Sequence, residues 1–271
     1  MSTQTIEAPS ILRTVIEREP IPDTDLVLVS VGITCQTAHQ LARHAAETEG
    51  VSFRKGPMDW LALPPPVVAA WLDAGLDPFE EGDIEVREGR PWFTRRAVGF
   101  WHAFRRKPRE GETIGPEQDM RGTTKLLDVD YAFERELAKL NYQIGVFRAL
   151  DPARTLFVTG NGQNNAAGEG PENIYRGERA AEATFTGEGI DALEGALDRF
   201  FGAPCMLGVV AHEGRVERGL AERGNVRVIA DRPGDWHGDD GDWDRALGEL
   251  VARAQAEARE AGATPSPWRS A

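Results

Sequence analysis

Apolar residues along the chain fall into short continuous runs separated by helical stripes. Leu26–Val31 is almost unbroken and rich in Val, the pattern of a strand buried on both faces. Gly32 ends the run. Thr34 is then placed to cap a helix over Gln36–Thr48, whose apolar positions Ala38, Leu41, Ala42 and Ala45 keep helical spacing. The second half repeats this rhythm. Helices are predicted over Phe133–Leu150, Ile190–Phe201 and Asp242–Ala261, and strands over Thr155–Thr159, Cys205–Ala211 and Asn225–Ala230. Strands alternating with helices predict an α/β fold: a three-layer, Rossmann-like sandwich with a mostly parallel central sheet and Leu26–Val31 near its middle.

The middle of the chain is less regular. Pro64-Pro65-Pro66 can open a short helix, Val67–Ala74, and Asp83–Glu88 can pair with Pro91–Thr94 across Gly89-Arg90. Prolines and glycines between 107 and 124 predict a loop, so 83–124 is expected to be an irregular insertion. Residues 1–24 read as a leader, 25–262 as a single domain and 263–271 as a flexible tail.

Composition narrows the possible functions. The 271 residues carry a formal charge of −13, which argues against nucleic acid as the main partner. No apolar run reaches membrane-spanning length, and the first residues lack the basic and apolar regions of a signal peptide. Cys35 and Cys205, the two cysteines, make no disulfide framework. A cytoplasmic protein without a membrane partner is expected, and its oligomeric state is left open. There is no Gly-x-Gly-x-x-Gly, phosphate-loop lysine, zinc-spaced Cys pair or His-Glu-x-x-His, so no cofactor and no metal is expected.

Cys35 is the first candidate for chemistry. It falls at the C-terminal end of the first strand and on the first turn of the following helix, where ligands of open α/β sheets collect and free N–H groups favour a thiolate. His39 and His44 ride on the same helix and read as polar surface positions, although His39, one turn along, could contact the thiol. His212 follows a strand without an obvious companion. His102 lies in Gly99-Phe100-Trp101-His102-Ala103-Phe104, where aromatic neighbours would shield it from water. His237 stands in the loop before the last helix, two residues after Asp235. A nucleophile after the first strand and an Asp and a His before the last helix resemble the layout of SGNH-type esterases. Those enzymes carry Ser where Cys35 stands, and Asp-x-x-His where this chain has Asp235-x-His237.

The N-terminal blocks Ser30-Val31-Gly32-Ile33-Thr34-Cys35 and Gly56-Pro57-Met58-Asp59-Trp60 resemble a second group. This is a bacterial family of unknown function labelled as papain-like cysteine peptidases, with Ser-Leu-Gly-x-x-Cys and Pro-Phe-Asp-Trp blocks. The resemblance covers roughly the first 105 residues if Trp101-His102-Ala103-Phe104 matches the family's His-Asp-Phe segment. It implies Cys35 as nucleophile and His102 as base, with Asp59 held near the thiol. Met58 replaces the family's Phe, and Ala103 its Asp. The alternation of strands and helices favours an open parallel sheet over a true papain-like fold.

From Arg87 to Arg109 eight cations, Arg95 and Arg96 among them, face one acid, Glu88. Two functions follow. The first is a cysteine-dependent acyl-transfer enzyme acting on a small-molecule or peptide substrate. Cys35 is its nucleophile, His102 or His237 its base, and Asp235 or Asp59 orients that base. Backbone N–H groups near Gln36 hold the oxyanion, and Trp60 and Asn161 line the substrate. The second is a noncatalytic or transferase-type α/β module that binds a phosphate, carboxylate or nucleotide-sugar through Arg95, Arg96 and their neighbours.

Overall fold

The computed structural model describes residues 25–59, 61–80, 82–87, 90–100, 102–113, 125–161, 181–230 and 237–263. The leader 1–24, most of the loop after Gly160, and 264–271 lie outside them. The chain opens with strand β1 (Leu26–Ile33), helix α1 (Cys35–Glu47) and strand β2 (Val51–Phe53). It returns through β9 (Thr155–Gly160), α4 (Gly187–Phe201), β10 (Met206–His212), the short α5 (Arg218–Ala221), β11 (Val226–Ile229) and α6 (Asp240–Ala263). The five strands form one all-parallel sheet in the order β2-β1-β9-β10-β11. This is the α/β fold expected from the sequence, with Leu26–Val31 inside the sheet. Among the described residues no helix is long and apolar enough to cross a membrane.

All eight residues of β1 are buried. Val27, Val29, Val31 and Ile33 join one apolar cluster with Phe147, Ile190 and Leu197, while Leu26 and Leu28 join another with Leu41, Trp243 and Leu247. Alternate residues of a strand point to opposite faces, so helices must cover both sides of the sheet. The strand runs past Gly32, with a register irregularity between Ser30 and Ile33. The helix begins at Cys35, one residue earlier than predicted. β2, three residues long, has no counterpart among the strands predicted from the sequence.

Between β2 and β9 the chain builds further elements, among them those of residues 83–124, which were expected to be an irregular insertion. First come β3 (Leu61–Ala62), α2 (Pro65–Asp73), β4 (Ile84–Arg87), β5 (Arg90–Phe93) and β6 (Val98–Phe100). Then come β7 (Arg105–Arg106), β8 (Leu126–Leu127) and the long α3 (Val129–Arg148). The predicted hairpin is present, with Ile84 opposite Phe93, and it belongs to an antiparallel sheet ordered β3-β6-β5-β4. Phe79 packs against Phe93, Phe100, Phe104 and Phe133 with ring centroids 5.4–6.2 Å apart. That cluster is continuous with the core under β1. A backbone bond from Leu63 N–H to the Ile33 carbonyl, 3.2 Å, ties the small sheet to the end of β1.

On the opposite face, polar groups join α1 to α6. Arg43 grips Asp244 with two N–H groups at 2.6 and 3.0 Å, and His44 Nδ1 lies 3.2 Å from the same carboxylate. Arg43, with a smaller contribution from His44, holds the Asp244 carboxyl below its ordinary value. A depressed carboxylate stabilises the fold above its unfolded pKa, and that contribution disappears as pH falls through the folded value. Asp244→Asn is expected to cost about 1 kcal/mol at pH 7, the charged hydrogen bonds being discounted for partial exposure. Melting curves should show the parent and the variant converging below about pH 4, near the ordinary Asp value. A gap that persists there would mean the clamp is not electrostatic.

Candidate functional site

The site follows from strand order. β1 and β9 are neighbours, with Ile33 opposite Gly160, but the chain leaves β1 toward β2 and leaves β9 toward β10. The carboxyl ends of two such strands flank a crevice, the usual ligand position of an open α/β sheet. Cys35 heads α1 at this point, 5% exposed. Thr34 occupies the cap position with an extended backbone but makes no side-chain cap bond, contrary to the sequence expectation. Its buried Oγ1 has no hydrogen-bond partner among the described residues. The N–H groups of the first turn are therefore not taken up by Thr34, and they carry the positive end of the helix dipole.

The first turns of α1 are held from two directions. Thr37 Oγ1 donates to the Gly160 carbonyl at 3.2 Å. A Cβ at Gly160 would lie 2.7 Å from Trp243 Cη2, so only glycine lets α6 pack this closely over the strand end. From the other side comes the loop before α6. Gly238, at φ +81°, comes so near α1 that a Cβ there would sit 2.8 Å from Gln36 Nε2.

His237 is placed by Gln40, which is fully buried. Its Nε2 donates to the His237 carbonyl at 2.6 Å and to Asp240 at 2.9 Å, while its Oε1 accepts from Arg43 at 2.9 Å. The His237 ring packs 5.8 Å, centroid to centroid, from His39, and its Nδ1 is 3.9 Å from Asp240. His39 is half-buried rather than a plain surface position. Burial, then the neighbouring His237, pushes its imidazole below the ordinary value. On the same helix His39 follows Cys35 by one turn, the spacing at which helix side chains are neighbours.

Other expectations fare differently. Asn161 reaches the crevice edge, but its amide serves the chain. Its Nδ2 donates to the Ala183 and Arg215 carbonyls at 2.9 and 2.7 Å, and its Oδ1 accepts from His212 N–H at 2.8 Å. These bonds make it a latch between strand ends. His212, buried at the end of β10, belongs to the same edge.

His102 is exposed, so the expected aromatic shielding is absent. It lines a cavity of about 330 Å³ together with Asp59, and Cys35 is not among the described residues in its wall. Asp59 Oδ2 accepts the Gly56 N–H at 3.2 Å, and Gly56 in turn packs on Val29 of β1. Arg95 and Arg96 are committed elsewhere. Arg96 pairs with Asp77 through two 2.8 Å bonds, and Arg95 bonds Asp83 and the Pro78 carbonyl. Both pin the Asp77–Asp83 loop rather than present a free anion site. In the same block Arg106 binds Asp128 and Glu112, and it holds the Glu112 carboxyl down to about 2. Trp60 and Asp235 lie outside the described residues. Among the described residues no three His, Cys, Asp or Glu side chains gather as a metal site.

Cys205 provides an internal reference. Burial and the nearby Asp198 push its thiol up to about 12. At pH 8 iodoacetamide should leave it unmodified, and peptide mapping that finds Cys205 alkylated ahead of Cys35 would contradict this. Asn161→Ala removes three hydrogen bonds, two of them buried, each worth about 1 kcal/mol. A loss near 3 kcal/mol in denaturant unfolding is expected, and a change under 1 kcal/mol would show the latch to be dispensable.

Compared with known proteins, the chain matches no family model, no curated protein and no solved structure.

Proposed function

We propose that the protein is a cysteine-dependent acyl-transfer enzyme, a hydrolase or transferase of an amide, ester or thioester, in a small-molecule or peptide substrate. One observation carries the reading: Cys35 heads α1 at the sheet's switch point, with His39 one turn on and His237 packed behind His39. The Cys35 thiol gives its proton to the imidazole of His39, and the sulfur attacks the acyl carbon. The carbonyl oxygen takes up negative charge and is met by the first-turn N–H groups of α1. Collapse breaks the bond to the leaving group, which departs with the proton from His39, and leaves a thioester on Cys35. Water or an acceptor, deprotonated by His39, then takes the acyl group and restores the thiol. His237 and Asp240 orient His39.

His39 suits the role because its lowered pKa keeps the proton-accepting form dominant at neutral pH. His102 suits it less, since it is exposed in a cavity whose described wall does not include Cys35. The alternative, an anion-binding module built on the arginine block, loses support because Arg95 and Arg96 are spent on Asp77 and Asp83. A working thiol also fits the reducing cytoplasm, where we place the protein.

The test is the pH dependence of Cys35 alkylation in single His→Ala variants. His39→Ala is expected to shift the pH profile of labelling, slowing it near pH 7 about tenfold or more, because no neutral imidazole is left to take the thiol proton. His237→Ala should give a smaller shift in the same direction, and His102→Ala none. The acid limb of reactivity in the parent should fall below about pH 6.5, the ordinary His value, because His39 protonates late. A shift in His102→Ala alone would move the base to the cavity. Three unchanged profiles would end the acyl-transfer reading.

A further inference from the structure

The cavity holding His102 lies between α3 and the small antiparallel sheet, outside the machinery assigned to Cys35. We infer that it binds a free α-amino acid with an apolar side chain, recognised as a zwitterion.

Its volume of about 330 Å³ falls at the small end of ligand pockets, enough for one amino acid and little more. The floor is apolar, made by Leu61, Phe79, Phe100 and Leu140, all buried. Around it stand charges of both signs. Asp59 and Glu136 are buried, 6% and 9% exposed, and Glu136 is paired with Arg135 and Lys139. Lys55 and Lys139 are more open, and the Lys139 side chain is 54% exposed.

Two carboxylates and two ammonium groups in one wall disfavour a simple anion and a simple cation alike. A zwitterion satisfies both. Glu136 shows how the site is arranged. Its Oε1 is occupied by two Arg135 N–H groups, whereas among the described residues Oε2 has one long contact, 3.5 Å, to Lys139. That oxygen can still accept from a ligand ammonium. Lys139, with three N–H donors, can keep Glu136 and also bind a ligand carboxylate. The ligand's side chain then lies on the Phe79–Phe100 floor, where burying apolar area supplies most of the binding.

The inference does not depend on Cys35 reacting, so it is tested by binding. Titration calorimetry of the full chain, and of Cys35→Ala, would use L-phenylalanine, L-phenylalaninamide and N-acetyl-L-phenylalanine. L-phenylalanine should bind equally to both proteins, and each blocked derivative about tenfold or more weaker, the cost of one lost charged contact. Lys139→Met should weaken L-phenylalanine about tenfold and leave the amide unaffected. Glu136→Gln should weaken L-phenylalanine and leave the acetylated compound unaffected. Lys139 is on the exposed face of α3, so its variant keeps the test informative if Glu136→Gln fails to fold. No binding of L-phenylalanine, equal binding of all three compounds, or a Lys139→Met effect shared by the amide would each overturn the proposal.

Discussion

A strand buried along its whole length constrains this molecule more than any other element. β1 exposes none of its eight side chains, so its neighbours in the sheet and the helices on both faces must be in place before it leaves water. Its alternate residues feed two apolar clusters that do not mix, one under α3 and α4 and the other under α1 and α6. Parallel pairing with β2 and β9 then aligns the carboxyl ends of the strands. The chain turns away in opposite directions at that edge, and Cys35 lies there because it is the first residue after the strand that can begin a helix.

The polar residues of α1 are spent on position. Gln40 and Arg43 form one chain of hydrogen bonds that runs from the His237 carbonyl to Asp240 and Asp244 of α6. A buried glutamine whose groups were unsatisfied would cost more than the bonds gain, so the loop before α6 has little freedom to drift from α1. The same constraint fixes the distance between the rings of His39 and His237. Stability and site geometry therefore draw on the same side chains.

Elements with a long, consistent period could be read from the chain alone. β1, α1, α4 and α6 satisfy composition, spacing and boundary signals at once, and their observed limits differ from the predicted ones by a few residues at most. β2 could not be read, because three residues carry no period. The arginine block looks freer in the sequence than in the fold, because its charge is counted there without its partners. Its partners Asp77 and Asp83 stand a few residues upstream in an acidic run visible in the sequence, and the β4–β5 hairpin folds the two together. His102 differs for another reason. Aromatic neighbours in sequence suggested a dry setting, yet Phe100 and Phe104 turn into the core while His102 faces out. His39 was readable, since helical spacing puts it beside Cys35, but its burial depends on a loop nearly two hundred residues away.

One segment connects the two openings of the molecule. Leu61 forms part of the cavity wall, and two residues on, Leu63 donates its N–H to Ile33 at the end of β1. Gly32 sets how close these can come. Its φ of +99° is open to glycine and strained for other residues, and a Cβ there would lie 2.7 Å from the Leu63 carbonyl oxygen, a backbone atom with no side-chain freedom to yield. Any side chain at position 32 must push β3 outward. That displacement would loosen the Leu61 wall of the cavity and strain the Ile33 carbonyl that fixes the approach to Cys35. The glycine that seemed, in the sequence, only to end a strand is thus the residue through which the cavity and the thiol share one geometry.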